Sequence, residues 1–222
     1  MQILGFIGSV RDSKPPRPAR VGQRVGRACR RFVEHGYPEH ELVLIDPLDY
    51  DRGPVFKPHF AYAKDQAPAD LDGLAAQIEA ADAYVMISPE YNHSMSPALA
   101  DLLNHFGSSR FAYKPSLIVT YSAGQWGGTR AGVVMRGFLS ELGCLPVSAM
   151  IQIPHAGDLI DADGRLAEAA HQARWQDYAE RGLAQLVWWA EAAAEQRQRR
   201  DPHADIGDFT RDPGQRDAPA TK

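Results

Sequence analysis

The sequence predicts an α/β protein built on a doubly wound, five-stranded parallel sheet. Short apolar runs alternate along the chain with segments in which apolar residues recur at helical spacing. The runs are nearly continuous in Val, Ile and Leu, which is typical of strands buried on both faces. Glycine, serine and other turn-forming residues follow several of the runs. Strands that alternate with helices favour a parallel sheet covered by helices on both sides.

Each predicted element follows from its own pattern. The five strands are Gln2–Gly8, Glu41–Ile45, Ala83–Ser88, Ser116–Tyr121 and Pro146–Ile153. Helical spacing predicts helices around Val21–Val33 and over Ala69–Ala81, Pro97–Phe106 and Thr129–Leu142, and a long helix after residue 165. The long helix carries an apolar stripe of Trp175, Tyr178, Leu183, Leu186 and Ala190, with Val187 beside it. We expect this stripe to pack on the sheet, and contact with a partner subunit is the alternative. Gly143 is a predicted C-terminal cap.

The strand order expected for this pattern is 2-1-3-4-5, the flavodoxin-like order, because a ligand loop follows the first strand. A dinucleotide-binding Rossmann domain is the alternative. That fold requires G-x-G-x-x-G after the first strand, and Gly5-Phe6-Ile7-Gly8-Ser9-Val10 does not fit it. We therefore expect one flavodoxin-like domain over residues 1–194, followed by a polar, weakly ordered tail over residues 195–222.

Composition narrows the classes of function. The 222 residues are 44% hydrophobic and 23% charged, with a formal net charge of −4, so no basic surface for nucleic acid is indicated. No apolar run approaches the ~20 residues of a membrane span. With no secretory leader visible, we expect a cytoplasmic protein that has no membrane partner. Cys29 and Cys144 lack metal-ligand spacing, and Cys29 is predicted to be a core thiol.

The loop after the first strand is a candidate phosphate site. It offers the Ser9 hydroxyl, the guanidinium groups of Arg11 and Arg20, and backbone N–H groups near Val21 and Gly22, where a helix begins. Helix N-termini bind phosphate, and arginine suits bidentate contacts with it. The simpler interpretation is that both arginines are solvated surface charges.

Two further loops have the composition of a site for a flat ring. Pro89, Glu90, Tyr91, Asn92 and His93 follow the third strand, and their simpler interpretation is an ordinary turn. The loop 122–128 follows the fourth strand and holds three glycines and Trp126. The Trp126 side chain is expected to pack over another group. A phosphate loop beside two such loops fits flavin mononucleotide (FMN) best. No catalytic triad and no metal-binding cluster is apparent.

These motifs resemble those of the NADPH-dependent FMN reductase family, which has a flavodoxin-like fold and includes quinone and azo-dye reductases. The resemblance spans roughly residues 2–154. It rests on Gly8-Ser9-Val10-Arg11, Pro89-Glu90-Tyr91-Asn92, Ser96-Pro97-Ala98-Leu99, Lys114-Pro115, Ser122-Ala123-Gly124 and Gly127-Gly128.

The resemblance implies a set of residue roles. Ser9, Arg11, Arg20, Val21 and Gly22 would hold the FMN phosphate; Pro89, Glu90, Tyr91 and Asn92 would line the isoalloxazine ring; and Ser122, Gly124, Gly127 and Gly128 would border its pyrimidine side. Trp126 and His93 would face the substrate. Residues 12–19 form an insertion relative to the family pattern, so either Arg17 or Arg20 makes the second phosphate contact.

The resemblance also implies the reaction. Hydride would pass from NADPH or NADH to flavin N5 and on to a quinone, azo compound, free flavin or similar acceptor, with no catalytic side chain required. A homodimer or homotetramer is implied, with a small-molecule acceptor as the other partner. The alternatives are a non-enzymatic electron carrier of the flavodoxin type and a flavin-based redox sensor. The physiological acceptor and the choice between the two nicotinamides stay open.

Overall fold

The protein folds around one parallel β-sheet, as shown by a computed structural model that describes residues 1–13, 19–167 and 171–205. The strands are β1 (Gln2–Ile7), β2 (Glu41–Ile45), β3 (Ala83–Pro89), β4 (Pro115–Tyr121) and β5 (Leu145–Ile153). All neighbouring pairs are parallel, and the order is β2-β1-β3-β4-β5. The predicted fold class and strand order are therefore confirmed.

Helices flank the sheet in the order expected for crossover connections. They are α1 (Val21–Gly36), α2 (Ala69–Ala80), α3 (Pro97–Asn104), α4 (Ser108–Phe111), α5 (Thr129–Glu141), α6 (Ala156–Leu159), α7 (Gln172–Arg199) and α8 (Pro202–Asp205). Gly143 has a φ of 94°, as expected for the left-handed residue after a helix. Periodicity predicted the five longest helices and missed α4, α6 and α8, which have four residues each.

The hydrophobic core has two halves, one on each face of the sheet. On one face, α1 and α7 pack against alternate strand residues such as Val85 and Leu117. On the other face, α2, α3 and α5 pack against residues such as Tyr84 and Ile118. Strand residues point alternately to the two faces, so a sheet covered on both sides buries every position of β3 and β4.

The predicted stripe of the long helix packs as expected, with Leu183, Leu186 and Ala190 buried against the sheet. Helix α7 continues to Arg199, four residues beyond the start of the predicted tail. Residues 206–222 lie outside the described residues, so the weakly ordered tail stays a prediction. Among the described helices, none is both long and apolar enough to cross a membrane.

Both cysteines are buried, one in each half of the core. Cys29 packs with the α1 cluster and Cys144 with the α5 cluster. Burial raises the pKa of each thiol to about 12. Cys29 is thus a core thiol, as predicted, and neither cysteine is a reactive thiolate near neutral pH.

Candidate functional site

The carboxyl edge of the sheet carries a cavity of about 470 Å³ between the loops that follow β1, β3 and β4. Open α/β sheets bind ligands at this edge, where the chain crosses from one side of the sheet to the other. The cavity is lined by Ser9, Arg11, Asp12, Ala19, Arg20, Val21, Gly22, Arg24, Pro89, Glu90, Tyr91, Tyr121, Ser122, Ala123 and Gly157. The three loops that the sequence singled out therefore converge on one site.

Not every predicted site residue lines that cavity. The phosphate-loop residues, three of the four predicted ring residues and Ser122 do so. The other predicted residues belong to the same loops but do not line the cavity: Asn92, His93, Gly124, Trp126, Gly127 and Gly128. Arg17 lies outside the described residues, so the choice between Arg17 and Arg20 as the second phosphate contact stays a prediction.

The floor of the cavity is the start of α1, where the backbone comes very close to β1 and β4. A Cβ atom on Gly22 would lie 2.5 Å from Ser9 Oγ and 2.8 Å from the Tyr121 hydroxyl, so only glycine fits there. Within the described residues, the side chain of Arg20, the N-cap residue, makes no capping hydrogen bond to the start of the helix. The first N–H groups of α1 therefore keep their capacity to bind an anion in the cavity.

Arg20 is buried beneath this floor, and its guanidinium is already engaged. Its side chain is 3% exposed and forms an ion pair with Asp46 at the end of β2. Arg20 Nε donates to Ser9 Oγ at 2.9 Å, and Asp46 Oδ2 accepts from Gln23 Nε2 at 3.2 Å. Asp46 balances the charge of Arg20, so Arg20 orients Ser9 as part of the loop's framework in addition to lining the cavity.

Arg11 crosses the mouth of the cavity from the first loop to the second. Its Nε donates to the Tyr91 hydroxyl at 3.1 Å, and its guanidinium carbon lies 5.5 Å from the Tyr91 ring centroid. Within the described residues no carboxylate pairs with Arg11, which is exposed. Of the two predicted phosphate ligands in the described residues, Arg11 therefore carries the uncompensated charge.

Glu90 connects the second loop to helix α5. Its carboxylate accepts from the backbone N–H groups of Arg130 at 3.1 Å and Ala131 at 3.3 Å, and the Arg130 guanidinium lies 3.4 Å away. A carboxylate at a helix N-terminus is stabilised by the unpaired N–H groups and the helix dipole. Glu90 thus holds the second loop against α5 through its carboxylate while the residue lines the cavity.

A tight turn follows Glu90 and Tyr91. Asn92 and His93 both have positive φ, 50° and 61°, and backbone hydrogen bonds join Tyr91 to Ser94 in both directions. Positive φ at two consecutive non-glycine residues is uncommon and strained. The turn leaves both side chains exposed at the rim of the site.

The third loop is held against the ends of β4 and β5. Gly128 has a φ of 83°, and a Cβ there would lie 2.8 Å from the Thr120 side chain. The Gly127 carbonyl accepts from Thr120 Oγ1 at 2.9 Å. These glycines let the loop backbone pack tightly, and this packing leaves Trp126 60% exposed at the surface.

Sequence reasoning missed Asp46, Tyr121 and Arg24. Burial raises the pKa of Tyr121, and its hydroxyl is hydrogen-bonded to Ser9. Arg24 Nε donates to the Ala19 carbonyl at 2.8 Å and ties the insertion back to α1. Asp46 and Tyr121 stand at the carboxyl ends of predicted strands, and that position was the available signal for both.

The aromatic segment 47–68 lies away from the cavity. It forms two short 3-10 turns, and the His59 N–H donates to the His105 carbonyl at 2.7 Å. Phe56 packs edge-on against His105 with ring centroids 4.7 Å apart. None of the aromatic residues of this segment lines the cavity within one chain.

The fold and the cavity define a flavodoxin-like α/β protein whose site suits a mononucleotide with a terminal phosphate. The chain belongs to the NADPH-dependent FMN reductase family, whose model matches residues 1–158. It is 33% identical over 172 residues to the NAD(P)H-dependent FMN reductase of Pseudomonas aeruginosa, covering 76% of this chain and 85% of that protein.

Two further comparisons extend the likeness, one in sequence and one in fold. The quinone reductase of Escherichia coli is 35% identical over 106 residues, which are 42% of this chain and 56% of that protein. Among solved structures, the flavoenzyme NAD(P)H:(acceptor) oxidoreductase FerB of Paracoccus denitrificans superposes with a TM-score of 0.63 at 21% identity. That likeness covers 86% of this chain and 98% of FerB, and it shows the shared fold.

Proposed function

We propose that this protein is an FMN-dependent oxidoreductase that passes hydride from NADPH or NADH to a small acceptor such as a quinone, an azo compound or a free flavin. The observation that carries the proposal is the convergence of three loops on one cavity whose floor is the start of α1. Membership of the NADPH-dependent FMN reductase family supports it.

The residues present fit FMN. Its phosphate would bind at the start of α1, where Gly22 allows close approach, with the Ser9 hydroxyl and Arg11 beside it. The ring would lie along Pro89, Tyr91 and the neighbouring backbone, since this part of the lining is largely apolar. FMN, when bound, supplies the uptake of hydride from reduced nicotinamide and its delivery to an acceptor.

The protein's own task is then to bind and orient. Arg20 and Asp46 fix the Ser9 side chain from below, and Glu90 fixes the second loop against α5. No side chain is proposed as a general base, because the flavin would carry the hydride. Trp126 and His93 are proposed to face the acceptor, because both are exposed on loops that border the cavity.

We also propose a homodimer or homotetramer with the flavin site near a subunit interface. The support is the family resemblance, together with the exposed aromatic segment 53–60 beside α3. A cytoplasmic location is proposed because the reaction consumes reduced nicotinamide and both cysteines are free thiols.

Cofactor identity is the first experiment. Cofactor released by heat from the purified protein, or from protein reconstituted with a mixture of FMN and FAD, is identified by mass. FMN is expected, because a terminal phosphate would bind at the helix start and no adenylate site is evident beside the cavity among the described residues. FAD as the main species would contradict the proposal.

Steady-state kinetics separate the enzyme from a non-enzymatic carrier. NADPH and NADH are each varied against several quinones and azo compounds without any partner protein. Turnover with parallel double-reciprocal lines is expected, because nicotinamide and acceptor would use the same open side of the ring in turn. Absence of turnover with every acceptor would favour the carrier or sensor. Intersecting lines would exclude the shared side.

A further inference from the structure

The outer surface of α7 carries a stripe of seven exposed residues that face away from the sheet. We call this set the outer stripe: Asp177, Arg181, Ala184, Trp188, Ala192, Glu195 and Arg199. At 100° per residue all seven fall within about 80° of the helix circumference. The residues that α7 buries against the sheet, such as Leu183 and Leu186, lie on the opposite side of the helix.

Trp188 makes this stripe unusual for a monomer surface. Its side chain is 70% exposed at the centre of a 28-residue helix. Tryptophan is enriched among the residues that contribute most to the affinity of protein interfaces. Ala184 and Ala192 lie one turn before and one turn after it, and both are exposed.

The outer stripe is complementary to itself when it is read in reverse. Ala184 and Ala192 are each four residues from Trp188, and Arg181 and Glu195 are each seven residues from it. Asp177 and Arg199 are each eleven residues from it. An antiparallel copy of the helix, with its two-fold axis at Trp188, therefore places each charged residue opposite one of the other sign.

We propose that the outer stripe of α7 is an interface between two copies of this chain, packed antiparallel with Trp188 on the two-fold axis. Such an isologous contact uses one patch on both subunits. The two Trp188 side chains would meet at the axis, and the small side chains of Ala184 and Ala192 on either side would leave room for their rings. Arg181 would pair with the partner's Glu195, and Asp177 with the partner's Arg199.

The charges select the antiparallel arrangement. Within the described residues, Asp177 and Arg181 form no ion pair, while Arg199 donates to Glu195 one turn before it. A parallel pair of helices in register would bring each charge against its own copy, Arg181 on Arg181 and Glu195 on Glu195. Exposed ion pairs add little affinity, so their role is to set register and direction, and the Trp188 contact supplies the burial.

The neighbouring sheet edge does not offer a competing contact, because side chains cover much of the backbone of β5. The Ala149 N–H donates to Gln185 Oε1 at 2.9 Å, and the Gln152 N–H donates to the Tyr178 hydroxyl at 3.0 Å. From the other face, Arg136 donates to the Val147 carbonyl at 3.0 Å. Edge strands covered in this way are protected against pairing with another strand.

The outer stripe is separate from the cofactor site. None of its seven residues lines the cavity at the carboxyl edge of the sheet. The interface therefore does not depend on the proposed function. If a second interface forms near the flavin site, the α7 contact would join two dimers into a tetramer.

The test is the mass of the full-length protein in solution, measured by light scattering and sedimentation equilibrium at micromolar concentration. Trp188→Arg should halve the mass, because it places two positive charges on the axis. Trp189→Arg is the matched control: it is the adjacent tryptophan, is 47% exposed and lies about 100° further round the helix. Its mass should stay that of the parent.

A charge swap tests the register. Arg181→Glu and Glu195→Arg should each raise the dissociation constant at least tenfold, because each creates two like-charge contacts. The double variant Arg181→Glu/Glu195→Arg should restore it, since the pairs then re-form with the signs exchanged. Mild oxidation of a mixture of Ala184→Cys and Ala192→Cys chains should give a mixed disulfide that neither variant forms alone.

A monomeric parent protein would overturn the proposal. So would a Trp188→Arg variant with the mass of the parent. If the single variants weaken association and the double variant does not restore it, these residues contact a different surface. That result would also overturn the proposal.

Discussion

The Arg20–Asp46 pair is the most consequential interaction that this structure adds to the phosphate loop. The perturbation that tests it is Asp46→Ala. Arg20 is 3% exposed and Asp46 is 12% exposed, so the variant leaves a buried guanidinium without its counter-charge. The variant also removes the acceptor for Gln23 Nε2 at 3.2 Å and for the Leu48 N–H at 3.0 Å.

Removing one partner of a buried ion pair costs about 3–5 kcal/mol, mostly because the remaining charge stays desolvated. The lower end applies here, because Arg20 keeps its bond to Ser9 and water can enter from the cavity side. We therefore expect a loss of about 3 kcal/mol in the free energy of unfolding. For a chain of this size that corresponds to a fall in Tm of about 6–12 °C.

The assay is thermal and urea unfolding of the apo protein, repeated at saturating FMN. Asp163→Ala is the matched control, because Asp163 is 66% exposed and pairs with the exposed Arg165. That control should change stability by less than about 0.5 kcal/mol. Saturating FMN should reduce the difference in stability between Asp46→Ala and the parent, because the phosphate would supply negative charge beside Arg20.

Equal stability of Asp46→Ala and Asp163→Ala would refute the claim that the pair supports the loop. If saturating FMN leaves the difference in stability between Asp46→Ala and the parent unchanged, the pair supports the loop but does not contribute to the phosphate site.

Three more predictions rest on the same geometry. Arg11→Ala should weaken FMN binding about tenfold to a hundredfold, equivalent to roughly 1.5–3 kcal/mol, as measured by fluorescence titration of FMN. The Tm of the apo form should stay unchanged, because Arg11 is exposed. An unchanged affinity for FMN would show that Arg11 is a solvated surface charge. Glu90→Gln should destabilise the apo protein by about 1 kcal/mol in urea unfolding, because the start of α5 loses its carboxylate, and no loss would contradict the capping role. Burial lowers the pKa of Lys114 from 10.5 to about 8, so the unfolded state binds more protons between these values. Between pH 8 and pH 10 the stability of the parent should therefore rise relative to Lys114→Met, and a flat difference would refute it.

Periodicity in the sequence was sufficient for the fold, because a strand buried on both faces and a helix buried on one face leave different patterns. The order of β2, β1, β3, β4 and β5 followed from handed crossovers and from the ligand loop after β1. The loops of the site were also predictable, because carboxyl ends of parallel strands meet at one edge. Composition at those ends was enough to indicate a phosphate and a flat ring.

Only the tertiary structure shows which residues the side chains of the site contact. Arg20 and Asp46 are 26 residues apart, and Glu90 lies 40 residues from Arg130, so no local pattern links either pair. The sequence by itself determined which residue types stand at the sheet edge. Packing of the crossover helices decided which arginine is neutralised and which stays available, because charge compensation depends on distance in space and not on distance along the chain.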